Sequence, residues 1–334
     1  MALPRVAFFE AADWESEQLK KTKSFQAVWF REELTPRTAA LAAPFDAVSI
    51  FIYSQLSADA LKKLPKLKMI ATRSTGFDHI HLPTCRKRGI TVSNVPFYGE
   101  NTVAEHTFAL ILSLSRNIHR AYVRTIRGDF SLEGLRGFDL QGKTIGVIGA
   151  GHIGLHVIKM ARGFGMRALA FDVRRNPFMA EVLGFEYASL DEILAQADVL
   201  SLHAPYSEKT RHLIGLHNIR RIKKGALLIN TSRGGLVQTD ALIKALDEGI
   251  IAGAGLDVLE GEDLVKEDRQ LLSEHFPLDR LQTLLKNHIL LHRDNVVITP
   301  HIAFYSQEAL QRILDTTVAN LQGFFKGNPL NVVK

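Results

Sequence analysis

The 334-residue chain reads as an α/β protein of two parallel-sheet domains. Three features predict this. Short apolar runs alternate with helical or turn-rich segments along most of the chain. Those runs are apolar on both faces, as strands must be when helices cover both sides of a sheet. One run near the middle breaks at Gly149-Ala-Gly151-His-Ile-Gly154, between a strand-like and a helix-like stretch. The length accommodates two domains at roughly 100–200 residues each.

In chain order, residues 6–9, 27–30, 48–53, 69–72 and 90–95 read as strands, with helices at 57–64 and 82–88 between some of them. This first unit carries no glycine-rich phosphate turn. Asn101-Thr102-Val-Ala-Glu105 then opens a long helix, in which Thr102 and Glu105 have the spacing of a capping box. Its apolar residues continue to Leu114 and Ile118, so it is expected to be buried, either between domains or against a second subunit.

Residues 145–149, 168–172, 199–203, 226–231, 252–258 and 296–299 give six more strands. Segment 259–294 is longer than a usual strand connection and turns helical around 280–286. The last helix, 307–325, carries Leu310, Ile313, Leu314, Thr317, Val318, Leu321 and Phe325 at amphipathic spacing. It is expected to return to the first unit. The division is then 1–100 with 302–334 as a substrate domain, and 101–301 as a dinucleotide domain.

The glycine turn supplies the reason for that assignment. Gly149 permits a tight turn, Gly151 lets the backbone approach a pyrophosphate, and Gly154 lets the helix close on the strand. The helix N-terminus offers N–H groups and a partial positive charge to phosphate. The next strand ends on Asp172, a carboxylate suited to the ribose hydroxyls of NAD and repelled by a 2′-phosphate. Arg174 and Arg175 follow and partly offset it. Both units are expected to be Rossmann-like or flavodoxin-like parallel-sheet domains, with the second as the NAD-binding Rossmann domain. In such sheets ligands bind past the carboxyl ends of the strands, which directs attention to Asp172, His203-Ala-Pro205, Thr231-Ser-Arg233, Asp257 and Pro300-His301.

Composition narrows the alternatives. The chain is 46% hydrophobic and 23% charged, ordinary for a protein with a large core. Its net charge of +6 is scattered over short groups such as Lys20-Lys21-Thr-Lys23 and Arg86-Lys87-Arg88, without interleaved aromatics. That favours a solvated surface over a nucleic-acid patch. Glu105 and His106 interrupt the most apolar stretch, 103–114, which is far too short to span a membrane. No signal peptide is read at the N-terminus. The single cysteine, Cys85, excludes an intrachain disulfide framework and suits a cytoplasmic protein.

Arg233, Glu262 and His301 are the side chains that suit chemistry at this rim. A guanidinium fork holds a carboxylate bidentately, and an imidazolium gives a proton to a carbonyl oxygen. A neighbouring carboxylate favours the charged imidazole. Together they suit reduction of a 2-keto acid by a nicotinamide. A zinc site built from His301, His288, His292 and Glu262 competes for the same side chains, without a tight zinc motif around the site; no metal is expected.

The residues also match a known family. The chain resembles the D-isomer-specific 2-hydroxyacid dehydrogenases, and within them the D-lactate dehydrogenase branch. Four stretches carry the resemblance: Arg73-Ser-Thr-Gly76-Phe-Asp78; Gly149 to Gly154; Asn230-Thr-Ser-Arg233-Gly; and Gly255-Leu-Asp257-Val-Leu-Glu260-Gly-Glu262 with Thr299-Pro-His301-Ile-Ala-Phe304-Tyr305. It implies that Arg233, Glu262 and His301 form the catalytic triad. It further implies that Tyr98, Thr75, Gly76, Arg233 and Phe304 meet the substrate. For NAD it implies Gly149, Gly151, His152, Ile153, Gly154, Asp172, Ala204, Pro205, Thr210, Thr231, Ser232, Arg233 and Asp257. The helix from Asn101 matches one that forms a homodimer interface, and the resemblance implies a cleft between the two domains.

The resemblance thus implies an NAD-dependent D-lactate dehydrogenase, with a broader D-2-hydroxyacid dehydrogenase (2-ketoisocaproate, hydroxypyruvate or glyoxylate) as the alternative. An NAD(H)-sensing co-regulator is the reading from another class. Phe304-Tyr305 after the histidine favours an apolar substrate side chain. Gly99-Glu100 after Tyr98 and Leu259 depart from the pattern usual in lactate enzymes.

Overall fold

The structure, a computed structural model, describes residues 3–261 and 278–333. The chain parts into two compact units, 1–98 with 306–334 and 99–305.

The first unit is a five-stranded parallel sheet: β1 (Arg5–Phe8), β2 (Gln26–Trp29), β3 (Ala47–Ile50), β4 (Met69–Thr72) and β5 (Thr91–Ser93). Their order, β2-β1-β3-β4-β5, is the flavodoxin-like one. Alternate residues of each strand face opposite sides. Ala7, Val48, Ile50, Ile70 and Val92 enter one core. Val6, Phe8, Ala47, Met69 and Ala71 enter the other, where Leu314 and Leu321 of the helix Gln307–Phe325 meet them. That helix starts where the spacing predicts, and Ser306 caps it by accepting from the Ala309 N–H at 3.1 Å.

The second unit has seven parallel strands: β6 (Thr144–Ile148), β7 (Arg167–Phe171), β8 (Glu186–Tyr187), β9 (Val199–Leu202), β10 (Ala226–Asn230), β11 (Ile251–Leu256) and β12 (Val296–Ile298). The order is β12-β11-β10-β9-β6-β7-β8, so the winding reverses between β6 and β9. One face buries Ile148, Leu200, Leu202, Leu228 and Leu256. The other buries Ile145, Val147, Ala168, Val199 and Ile229 against Ala104, Phe108, Ile111 and Leu114 of the helix Glu100–Ser115. The apolar face of that helix is therefore covered by its own sheet.

Three expectations are corrected. β8 makes a seventh strand; two residues at a sheet edge are too few to show a period. The long helix starts at Glu100 with Gly99 at its N-cap, so Thr102 lies inside the first turn, buried, and Glu105 accepts from Asn101 at 3.1 Å instead of closing a capping box. It ends at Ser115; Asn117 takes a left-handed conformation (φ 52°) and a separate helix, Ile118–Thr125, begins. Strands of the second unit also stop one residue before the predicted ends at Gly149, Asp172, His203, Thr231 and Thr299. Those residues leave the ladder to build the rim.

Candidate active site

The reversal between β6 and β9 opens a crevice at the carboxyl ends of the strands. Gly149 turns the chain there with φ 102°, and a Cβ on it would lie 2.6 Å from the backbone of His203 and Ala204. A Cβ on Gly154 would lie 2.0 Å from the Gly149 carbonyl oxygen. Neither position admits a side chain. Gly151 caps the helix His152–Gly163 without a side-chain hydrogen bond, and the space where its Cβ would stand is open. The tight turn, a helix end whose N–H groups meet no capping side chain, and the open space fit a dinucleotide phosphate.

Asp172 stands over this turn. Its Oδ2 accepts from the Ala150 N–H and its Oδ1 from the Arg174 N–H, both at 2.8 Å. The carboxylate thus ties the glycine turn to the β7 exit while staying half-exposed for a ribose. The neighbouring loop is internally braced. The Thr210 hydroxyl donates to the Pro205 carbonyl (2.7 Å) and accepts from the Ser207 N–H (2.8 Å). Ser232 Oγ donates to the buried Ala204 carbonyl at 2.7 Å, and Thr231 Oγ1 meets Thr107 Oγ1 at 2.9 Å. His203 pairs its Nε2 with Ser201 Oγ at 2.7 Å, while its Nδ1 is enclosed without a partner. Burial pushes its pKa down to about 3, so the ring is neutral.

Arg233 lies three residues past β10. The buried Asn230 shapes its turn, donating to the Arg233 carbonyl (2.9 Å) and accepting from the Ser232 N–H (3.1 Å). Gly234 lets this turn close on the next one, since a Cβ there would lie 2.0 Å from the Leu259 carbonyl carbon. The guanidinium is half-exposed and folds back to donate to the Ser232 carbonyl at 2.8 Å.

Asp257 follows β11 and is 1% exposed. Its Oδ1 accepts from Thr299 Oγ1 (2.5 Å) and the Ile302 N–H (2.9 Å), and its Oδ2 from the Ala303 N–H (2.8 Å). Its backbone carbonyl accepts from the His301 N–H at 2.9 Å. Burial alone raises this carboxyl, but hydrogen bonds from His106, Thr299, Ala303 and Ile302 prevail and hold it below the usual range. His301 sits in the left-handed region at φ 57°, strain on the order of 1–3 kcal/mol for a residue with a Cβ. The buried Phe304 ring meets the His301 ring edge-on, centroids 6.3 Å apart.

Adjacent β10, β11 and β12 thus place Arg233, Asp257 and His301 along one rim. Glu262 lies outside the described residues. The chain just before it is anchored: Glu260 meets His212 Nε2 at 2.5 Å and accepts from the Thr239 N–H and hydroxyl, while Asn287 holds its carbonyl. Burial raises the Glu260 carboxyl, and these donors more than offset it.

Thr75, Gly76 and Tyr98 belong to the first unit. There Thr75 Oγ1 donates to the Val95 carbonyl (2.9 Å), Ser74 Oγ to the Gly76 carbonyl (2.6 Å), and Arg312 to the Tyr98 carbonyl (2.6 Å). Among the described residues no three His, Cys, Asp or Glu side chains converge, and the His288 and His292 rings lie tilted at 49° with centroids 4.3 Å apart. No described helix is long and apolar enough to cross a membrane. The contacts of Asn230 with the Arg233 turn, of His106 with Thr299 and of His212 with Glu260 were not expected from the sequence. His106 left one sign, a polar break in an apolar helix.

Comparison with known proteins agrees with this geometry. Residues 108–303 match the model of the D-isomer specific 2-hydroxyacid dehydrogenase NAD binding domain. The chain is 41% identical over 341 residues to 2-hydroxyacid dehydrogenase homolog 1 of Schizosaccharomyces pombe, covering 99% of each. It is 39% identical over 314 residues to D-lactate dehydrogenase of Escherichia coli, covering 93% of each. The structure of D-lactate dehydrogenase from Aquifex aeolicus complexed with NAD and lactic acid superposes with a TM-score of 0.86 at 38% identity, covering 97% of this chain and 96% of that one. Two parallel α/β units, a dinucleotide turn and end-to-end identity lead to one conclusion: this chain is an oxidoreductase of the D-isomer specific 2-hydroxyacid dehydrogenase family and carries that family's NAD-binding domain.

Proposed function

We propose that the protein reduces 2-keto acids to D-2-hydroxy acids with NADH, with pyruvate and D-lactate as its principal pair. One observation carries the reading: His301 stands on a strained turn, gripped by Asp257, on the rim that also bears Arg233 and the glycine turn. The bound nicotinamide supplies the hydride in reduction and takes it in oxidation. Arg233 exchanges the Ser232 carbonyl for the substrate carboxylate and orients the reacting carbon. His301, as imidazolium, gives its proton to the carbonyl oxygen; in oxidation the neutral ring takes it back. The family resemblance supports Glu262 as the third member of this set. Phe304 backs the His301 ring and keeps that side of the site apolar, which suits a methyl substituent.

The working form is a homodimer. Support comes from the helix Ile118–Thr125, which buries none of its residues and leaves Ile118, Tyr122 and Ile126 52–65% exposed along one stripe. A stripe of that kind marks an interaction surface.

A panel of pyruvate, 2-ketobutyrate, 2-ketoisocaproate, phenylpyruvate and hydroxypyruvate with NADH tests the substrate, with chiral analysis of the product. Pyruvate is expected to give the highest kcat/KM and D-lactate. A large excess for hydroxypyruvate overturns the lactate reading. Broad rates across the panel favour the wider D-2-hydroxyacid specificity that Leu259 and Gly99-Glu100 support.

A further inference from the structure

We propose that His106 is a positioning residue for the reaction: through Thr299 and Asp257 it sets the turn that carries His301. The inference rests on the reading of His301 as the proton donor. His106 lies on the helix Glu100–Ser115, whose other inward side chains are mostly apolar, and its own side chain is only 19% exposed. Its Nε2 is 3.0 Å from Thr299 Oγ1 and 3.5 Å from Asp257 Oδ1.

The proton inventory fixes the direction of these bonds. An ionised Asp257 only accepts, and Thr299 has a single hydroxyl proton. That proton goes to Asp257 Oδ1. Thr299 can then only accept from His106, so His106 carries its proton on Nε2. The chain of donors runs His106 to Thr299 to Asp257.

Asp257 passes the constraint onward. Its two carboxylate oxygens take the Ile302 and Ala303 N–H groups, and its backbone carbonyl takes that of His301. Those bonds hold the left-handed conformation of His301, which a free chain would relax. Without the Nε2 donor, Thr299 Oγ1 loses its fixed orientation and its grip on Oδ1 loosens. A small displacement of His301 then lowers the rate of proton transfer, because the reacting atoms must stay near 3 Å. His106 need not touch the reactants for this effect.

The test compares His106→Gln, whose amide nitrogen can reach the Nε2 position, with His106→Leu, which removes the donor. Pyruvate reduction, NADH affinity by fluorescence titration and thermal unfolding are measured on each, with His301→Ala as the control. His106→Leu is expected to lose tenfold to a hundredfold in kcat with NADH affinity unchanged, and His106→Gln to stay within about threefold of the parent. Equal losses in both variants, or a parental kcat in a folded His106→Leu, overturn the proposal. If His106→Leu does not fold, Thr299→Val interrupts the same chain and is expected to give the same selective loss; a parental kcat there also overturns it. A His301→Ala variant that keeps its rate instead removes the reading on which the proposal stands.

Discussion

The carboxylate of Asp257 receives the N–H groups of the two residues that follow His301, and its backbone carbonyl receives that of His301 itself. The last strand therefore ends in a turn made to measure by the strand beside it. Replacing Asp257 by Asn removes one acceptor and sets an amide against backbone N–H groups. The expected result is a fall in kcat of roughly tenfold to a hundredfold. The pKa of Asp257 lies below the usual range, so its contribution is present above the unfolded-state value of about 3.9 and is lost only as pH falls through the lowered one. The ratio of parent to variant rates is therefore expected to stay constant from pH 5 to pH 8, as pH–rate profiles would report; a ratio that collapses within that range contradicts the assignment.

His203 makes the fold acid-sensitive. Its pKa falls from 6.5 to about 3, so the native state holds the neutral ring and the unfolded chain binds the extra proton. Stability is full above pH 6.5 and falls by about 1.4 kcal/mol per pH unit as the pH drops from there toward 4. Urea titrations at several pH values should show this slope reduced by one proton in His203→Gln. An unchanged slope means that the ring does not titrate as described.

Arg73 and Glu15 form an ion pair at 3.1 Å inside the first unit, with side chains 1% and 9% exposed. The guanidinium also donates to the Phe9 and Glu10 carbonyls and to Ser49 Oγ. Arg73→Met strands a buried carboxylate and should cost about 3–5 kcal/mol of unfolding free energy. Adding Glu15→Gln is expected to recover part of that loss. Equilibrium denaturation decides it, and a loss below 1 kcal/mol would show that water reaches the pair.

Asp172 serves both the cofactor and the turn. Asp172→Ala should raise the KM for NADH at least tenfold and narrow the preference over NADPH, because the ribose loses an acceptor and the Ala150 turn loses a tether. Arg174 and Arg175 follow Asp172 in the chain, and the Arg175 guanidinium lies over the Tyr187 ring, 5.6 Å from its centroid. Equal kcat/KM for both cofactors in the parent protein would contradict the NAD preference.

The exposed stripe on the helix Ile118–Thr125 gives an assembly test. Tyr122→Asp places a charge where 65% of the side chain is exposed, so a monomer should tolerate it within about 0.5 kcal/mol. A dimer joined there should dissociate. Sedimentation velocity on parent and variant separates the cases, and identical sedimentation of the two removes this surface from the interface.

Much of the molecule was legible in the chain because its signals are local. Alternation of apolar runs with helices, a glycine turn between strand and helix, and a carboxylate ending the next strand all lie within a few tens of residues. Residues 69–72 and 307–325 fall where the pattern put them. The helix start at Glu100 did not, since a capping-box spacing also fits residues one turn inside a helix whose cap is glycine.

Local patterns along the chain account for the two parallel sheets, the dinucleotide turn and the set of side chains that suit keto-acid chemistry. How those side chains are held depends on which strands lie side by side. Asp257 gripping the His301 turn joins the ends of two neighbouring strands, and His106 reaching Thr299 from 193 residues away joins a strand end to a distant helix. No local spacing encodes them, because strand order in the sheet, and not position along the chain, makes these residues neighbours.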